Sequence, residues 1–219
     1  MPANLTSASP DHTTVLSQAV AAFRTGRFLA ARDRPSAAAV VEALLEAEKV
    51  AKRQRLVYPF TSLLGCWRLC FATGTRKARQ RGGINLGKGF YMPKLVPAHI
   101  SFNASDTSLA EGLGRGEIGN QLQSGPVQLK FTGPARYLGK KNLLAFDFTQ
   151  LQIKVLNRSI YHTTIRGGEA KAATFDERSI AELPFFAFFF VTDDFIAARG
   201  RGGGLAIWIR ETNELVPIT

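Results

Sequence analysis

The sequence predicts a mainly β protein: an antiparallel β-barrel preceded by a pair of α-helices. Three observations predict it. Apolar residues recur at helical spacing only in the first quarter of the chain, and from Gly65 onward they alternate with a period of two. The alternating runs are separated by Gly- and Pro-containing turns rather than by helical patterns. Strands that follow one another without intervening helices pair antiparallel, and closing the sheet removes its edges. The chain therefore divides into a helical segment over 1–55 and a barrel domain over 56–219.

In the helical segment Val15, Leu16, Ala19, Val20 and Phe23 share one face, with Gly26 as a stop. A second helix is expected to begin near Asp33 and Pro35, a capping residue and a proline tolerated in the first turn. Its stripe is Val40, Val41, Leu44, Leu45, Ala47 and Val50, and it ends in "EKVAKRQR", whose cations suit a helix C-terminus.

Among the strands, "WRLCFAT" puts Trp67, Leu69 and Phe71 on one face, and "VQLKFT" puts Val127, Leu129 and Phe131 on one face. In "LLAFDFTQLQIKVLN" Leu144, Phe146 and Phe148 alternate against Asp147, which should face solvent. Leu151, Ile153 and Val155 follow at the same period, and "IYHTTI" and "LAIWI" continue it. "FFAFFFV" has large apolar groups at both parities, so this strand should bury both faces, with Phe186, Phe188 and Phe190 on one of them. Its other face would meet the helices or a membrane.

Composition limits the function. Hydrophobic residues make up 45% of 219, enough for an ordinary core, while a formal charge of +11 calls for an acidic partner surface. The longest apolar run, Leu183 to Val191, contains Pro184 and is well short of the ~20 residues a spanning helix needs. The N-terminus lacks a basic start followed by an apolar stretch, so no signal peptide is expected. Cys66 and Cys70, four residues apart on one strand, are too distant to bridge and read as free thiols in a reducing compartment. With three histidines far apart in sequence, no metal or cofactor is expected.

Several motifs have plain explanations. "GRGEIG" over 114–119 matches a dinucleotide-binding glycine pattern but does not follow a strand and open a helix. "RGRGGG" lies between two strand-like runs and reads as a hairpin loop. Asp193 and Asp194 would point to opposite faces of a strand, so a turn suits them better than paired catalysis. His162, inside an alternating run, reads as a core or surface histidine, and no nucleophile elbow is present. A sharper signal is the stretch between Arg68 and Asp106, which is free of acidic residues. It holds Arg76, Lys77, Arg79, Arg81 and Lys88 in a basic loop after the first strand, interleaved with Ile84, Leu86 and Phe90. That mixture suits an anionic membrane surface or single-stranded nucleic acid, and equally an ordinary solvated loop.

Gly65-Cys66-Trp67, entering the first strand after a helical lead-in, resembles the start of a lipocalin-type barrel. "LLGCWRLCFATGTRK" and "VTDDFIAARGRGGGLAIWIRE" resemble the opening and closing signatures of the plastid lipid-associated protein (PAP)/fibrillin family, a likeness spanning about 56–212. The resemblance implies a lipocalin-like barrel whose Trp closes one end beside a C-terminal Arg, for which Arg199, Arg201 and Arg210 are candidates. It also implies non-catalytic binding of a carotenoid, quinone or acyl lipid, with a structural or photoprotective role. The location it implies is peripheral on thylakoid membranes or lipid bodies, with cyanobacterial cytoplasm or a plastid as setting. The expected cavity lining is Trp67, Leu69, Phe71, Phe131, Phe146, Phe148, Phe186, Phe188 and Phe190. Arg76, Lys77, Arg79, Arg81 and Lys88 would meet the membrane. A bilin lyase and a single-stranded nucleic-acid module are the alternatives.

Overall fold

The computed structural model describes residues 11–25, 34–74, 89–105, 113–165 and 167–211. Among the described residues eleven strands follow two helices: α1 (His12–Thr25), α2 (Ala37–Gln54), β1 (Gly65–Ala72), β2 (Phe90–Tyr91), β3 (Ala98–Ala104), β4 (Leu113–Ser124), β5 (Val127–Leu138), β6 (Leu143–Phe146), β7 (Gln150–Val155), β8 (Arg158–Thr164), β9 (Phe185–Val191), β10 (Phe195–Gly200) and β11 (Leu205–Arg210). A short helix, α3 (Gly168–Ala173), lies between β8 and β9. Among the described residues no helix is long and apolar enough to cross a membrane.

Pairing runs β1-β3-β4-β5-β6-β9-β10-β11 and returns to β1, so eight strands close an antiparallel barrel in near-sequential order. That is the up-and-down closure of lipocalin-like barrels. Strands β7 and β8 stand off the ring as a ribbon on the outer half of β5, and β2 adds briefly to β1. The longest ladder joins β4 to β5 over twelve pairs, from Leu113↔Leu138 to Ser124↔Val127.

The two helices lie on the outside of the barrel against β1, β9, β10 and β11. Their buried residues pack with Cys70, Phe71, Phe189, Phe195, Ala197 and Ile207. In α1 the predicted stripe is the buried one. In α2 the buried line is Val40, Ala43, Leu44, Ala47, Glu48 and Ala51, and Ser36 caps the helix by accepting from the Ala39 N–H, which moves the start past the expected Asp33 and Pro35. Leu45, expected on the core stripe, is 46% exposed, and the buried line runs through Ala43 and Ala47 instead.

Glu48 lies in that helix–barrel interface and accepts from Arg199 Nε (2.9 Å) and Nη2 (2.5 Å). The Arg199 hydrogen bonds hold its carboxyl below the ordinary carboxylate value, against the opposing pull of burial. Asp147 departs from expectation. It is 4% exposed and bonded to Arg178 Nη1 at 2.6 Å, because the chain after β6 folds the 175–178 turn over it.

Candidate ligand site at the open end of the barrel

One end of the barrel is plugged by its own side chains. The turn of 3-10 helix Phe60–Leu63 folds under it, and Trp67 donates its indole N–H to the Leu63 carbonyl at 2.7 Å. The Arg210 guanidinium lies 3.9 Å from the Trp67 ring and donates to the carbonyls of Leu64, Ser62 and Asp193. Arg210 is thus the C-terminal partner of the tryptophan. Arg199 is committed to Glu48, and Arg201 to the Leu183 carbonyl. Gly65 has φ +115, and a Cβ there would stand 3.0 Å from Arg210 Nη1, so the Gly-x-Trp spacing makes room for the arginine. Above the plug Leu63, Tyr137, Ile118, Leu144 and Ile196 are fully buried. This half of the barrel is filled.

The other half is lined by a row of aromatics, three of which remain partly accessible. Ring centroids connect Phe131 to Phe148 (5.9 Å), Phe148 to Phe146 (5.2 Å), Phe146 to Phe186 (5.1 Å) and Phe186 to Trp208 (5.3 Å). Phe131, Phe148, Phe186 and Leu69 are only half-buried, although the first three sit in this aromatic row and Leu69 packs on the same core. Phe188 lies beneath them, 3% exposed and edge-on to Phe102. The wall continues beyond the ring. Directly paired residues share a face, so Leu122, Leu129, Ile153 and Tyr161 form one row of the β4-β5-β7-β8 sheet, and Phe131 with Leu151 begins the next. The opposite face of that sheet is polar, with Lys130, Thr132, Gln150, Gln152 and exposed His162 around a recess of about 190 Å³.

The expected lining residues therefore separate into groups. Leu69, Phe131, Phe146, Phe148, Phe186 and Phe188 reach the barrel interior, and Trp67 lies within the plug. Phe71 and Phe190 do not reach it. A register shift between Leu69 and Phe71 turns Phe71 outward, opposite Ile207 and edge-on to Tyr91. A second shift between Ala197 and Ala198 leaves Phe189 and Phe190 both facing the helices, with Phe190 stacked on Phe195 at 5.0 Å. Each bulge inserts one residue and reverses the alternation beyond it. Trp208, the buried end of this aromatic row, carries no distinguishing signal in sequence because "LAIWI" is apolar at both parities. Arg76, Lys77, Arg79, Arg81 and Lys88 lie outside the described residues. The described residues nearest to them belong to the open end, where Thr73 N–H donates to the Leu205 carbonyl.

The remaining motifs settle into structural roles. "GRGEIG" is part of β4, where a Cβ at Gly114 would meet the Phe60 ring at 2.3 Å. "RGRGGG" turns β10 into β11, and Asp193 and Asp194 turn β9 into β10. Cys66 and Cys70 are free, and burial pushes the Cys70 thiol up to about 12. Among the described residues no cluster of three or more metal-ligating side chains occurs.

No family model matches the chain. No curated protein matches it. Among solved structures it is similar to Japanin from Rhipicephalus appendiculatus bound to cholesterol, at 8% identity over 67% of this chain and 74% of that one, with a TM-score of 0.29. A likeness of that depth bears on neither ligand nor role, and the strand order alone defines the barrel.

Proposed function

We propose that the chain is a non-catalytic binding protein that holds a small apolar molecule at the open end of its barrel and works at an anionic membrane surface. The observation that carries this is the aromatic row from Phe131 to Trp208, in which Phe131, Phe148 and Phe186 stay half-exposed and which continues onto the apolar face of the β7–β8 ribbon. Half-exposed aromatics in a concave wall are poorly satisfied by water and gain about 25 cal/mol for each Å² that a ligand covers. A flat polyene, an isoprenoid quinone or an acyl chain suits a wall with few polar groups. In the PAP/fibrillin-like reading that cargo would be a carotenoid, quinone or acyl lipid at a photosynthetic membrane, with a structural or photoprotective role.

The membrane part of the proposal draws on the tips that project past this wall. The β4–β5 and β7–β8 turns are adjacent, with the Leu156 N–H donating to the Pro126 carbonyl at 3.0 Å. Leu156 (76% exposed) lies in the β7–β8 turn and Ile160 (63%) and Tyr161 (52%) in the adjoining part of β8, beside Lys154 and Arg158. Apolar tips flanked by cations enter the headgroup region of an anionic leaflet, which would set the aromatic wall against the lipid. Ala72 and Phe90, which flank the stretch holding Arg76, Lys77, Arg79, Arg81 and Lys88, pair with each other at this same end.

The test is solvent extraction of the protein purified from a pigment-producing photosynthetic host, followed by absorption and mass analysis. A stoichiometric carotenoid, quinone or acyl lipid supports the proposal and identifies the cargo. A clean extract from protein that also fails to take up a fluorescent fatty-acid probe overturns it.

A further inference from the structure

At the far end of β5 from the hairpin tips, the helical layer and the barrel enclose a cleft of about 440 Å³. Lys52 and Arg55 contribute from the end of α2, and Lys140 and Lys141 from the turn between β5 and β6. Among the described residues Glu48 is the one carboxylate in the lining, and it is bonded to both Arg199 and Lys52. Ala51, Ala187 and Phe189 form an apolar floor. We propose that this cleft is a binding site for a small, soluble, phosphate-bearing molecule.

Ordinary helix electrostatics account for only part of the charge. Lys52 sits in the last turn of α2 and pairs with Glu48 at 3.1 Å, as a cation at a helix C-terminus should. Arg55, Lys140 and Lys141 are different, because among the described residues none of them has an acidic side chain within ion-pair distance. Three such cations around one cleft repel one another, and an anion in the cleft relieves that repulsion.

The two walls are also fixed relative to each other. Asn142, 8% exposed and in the left-handed conformation, donates its amide to the Leu56 carbonyl (2.6 Å) and accepts from the Tyr58 N–H (2.9 Å). Buried Tyr137 donates its hydroxyl to the Tyr58 carbonyl at 2.8 Å. This clip joins the segment after Arg55 to the turn bearing Lys140 and Lys141. The cations are therefore presented by a preorganised frame, which lowers the entropic cost of gathering them round a ligand. A volume near 440 Å³ is in the range of small-molecule sites, and phosphate oxygens can accept from Arg and Lys on both walls at once. The cleft lies about 36 Å along β5 from the hairpin tips, eleven steps from Val127 to Leu138 at ~3.3 Å each. That separation keeps it clear of a bilayer entered by the tips and favours a soluble ligand, while anion binding itself does not depend on the membrane reading.

The experiment is calorimetric titration of the full chain with inorganic pyrophosphate at low ionic strength. Saturable binding is expected, weakened about tenfold or more by Lys140→Ala with Lys141→Ala. Arg55→Gly should weaken it too, and glycine tolerates the left-handed backbone there, so folding is preserved. Lys154→Ala with Arg158→Ala, which removes as much charge at the hairpin tips, should leave binding unchanged. Equal weakening by both double variants would mean bulk charge and overturn the proposal, as would absence of saturable binding in the wild type. Phosphatidylglycerol vesicles separate the two sources of phosphate. Vesicle binding that needs Lys140 and Lys141, in protein indifferent to pyrophosphate, would assign the cleft to a lipid headgroup and overturn the soluble-ligand reading.

Discussion

The helix–barrel interface makes a quantitative prediction at Glu48. Its carboxylate accepts two hydrogen bonds from the Arg199 guanidinium in an interface where it is 8% exposed. Glu48→Gln keeps the size but replaces one acceptor oxygen with an amide that faces another donor. One charge-assisted bond is lost and the other becomes charge–neutral. A hydrogen bond to a charged group contributes about 1.5–3 kcal/mol, and Arg199 keeps some access to water, so a loss of about 2 kcal/mol is expected. In a domain of this size that lowers Tm by roughly 4–8 °C.

The pH dependence has a definite sign. Arg199 lowers the Glu48 pKa in the folded state from its ordinary value of 4.5. The stabilisation is therefore complete above 4.5 and is lost as pH falls through the folded value. Thermal unfolding followed by circular dichroism at pH 7 and across the acid range should show the two proteins converging below 4.5. A difference as large in strong acid as at pH 7, or none at pH 7, would refute the assignment of the stabilisation to ionised Glu48.

Three further predictions are independent of it. Phe186→Ala should abolish uptake of a fluorescent fatty-acid probe, whereas Phe190→Ala should leave uptake intact and instead destabilise the helix–barrel contact by about 3 kcal/mol in denaturant unfolding. Equal loss of uptake in both would contradict the outward placement of Phe190. Leu156→Asp with Ile160→Asp should reduce cosedimentation with phosphatidylglycerol vesicles several-fold even at low salt; unchanged binding would leave docking to the basic loop, where Ala at Arg76, Lys77, Arg79 and Arg81 should then remove it. Among the thiols, half-buried Cys66 should react with a disulfide reagent at pH 8 well before Cys70, whose burial holds it protonated up to about 12. Rapid labelling of Cys70 in native protein would show that the helices open readily.

Much of the architecture was legible because it depends on local pattern. The helical stripe of α1, the period-two strands and the Gly-rich turns each record which side of a segment meets water, and together they specify helices on an antiparallel barrel. The double-sided burial of β9 was legible for the same reason, since apolar groups at both parities leave neither face for solvent. The plug was legible in part. Gly65 and Trp67 stood out, but three arginines were equivalent until the pairing of β1 with β11 set Arg210 opposite Trp67.

What tertiary structure decided was parity and partnership. Phe71 and Phe190 carry the same alternation as their neighbours, yet a bulge before each turns them to the helices. A bulge arises from fitting a strand to its cross-strand partners, so nothing within either segment encodes it. Asp147 likewise alternates as a surface residue and is buried only because the turn carrying Arg178 folds over it. The same holds for the basic cleft, where Arg55 and Lys140 are separated by 85 positions in sequence and joined by the side chain of Asn142. Local composition sets which face of an element is apolar. Only the packed chain determines which faces meet, and so which charges and rings share a site.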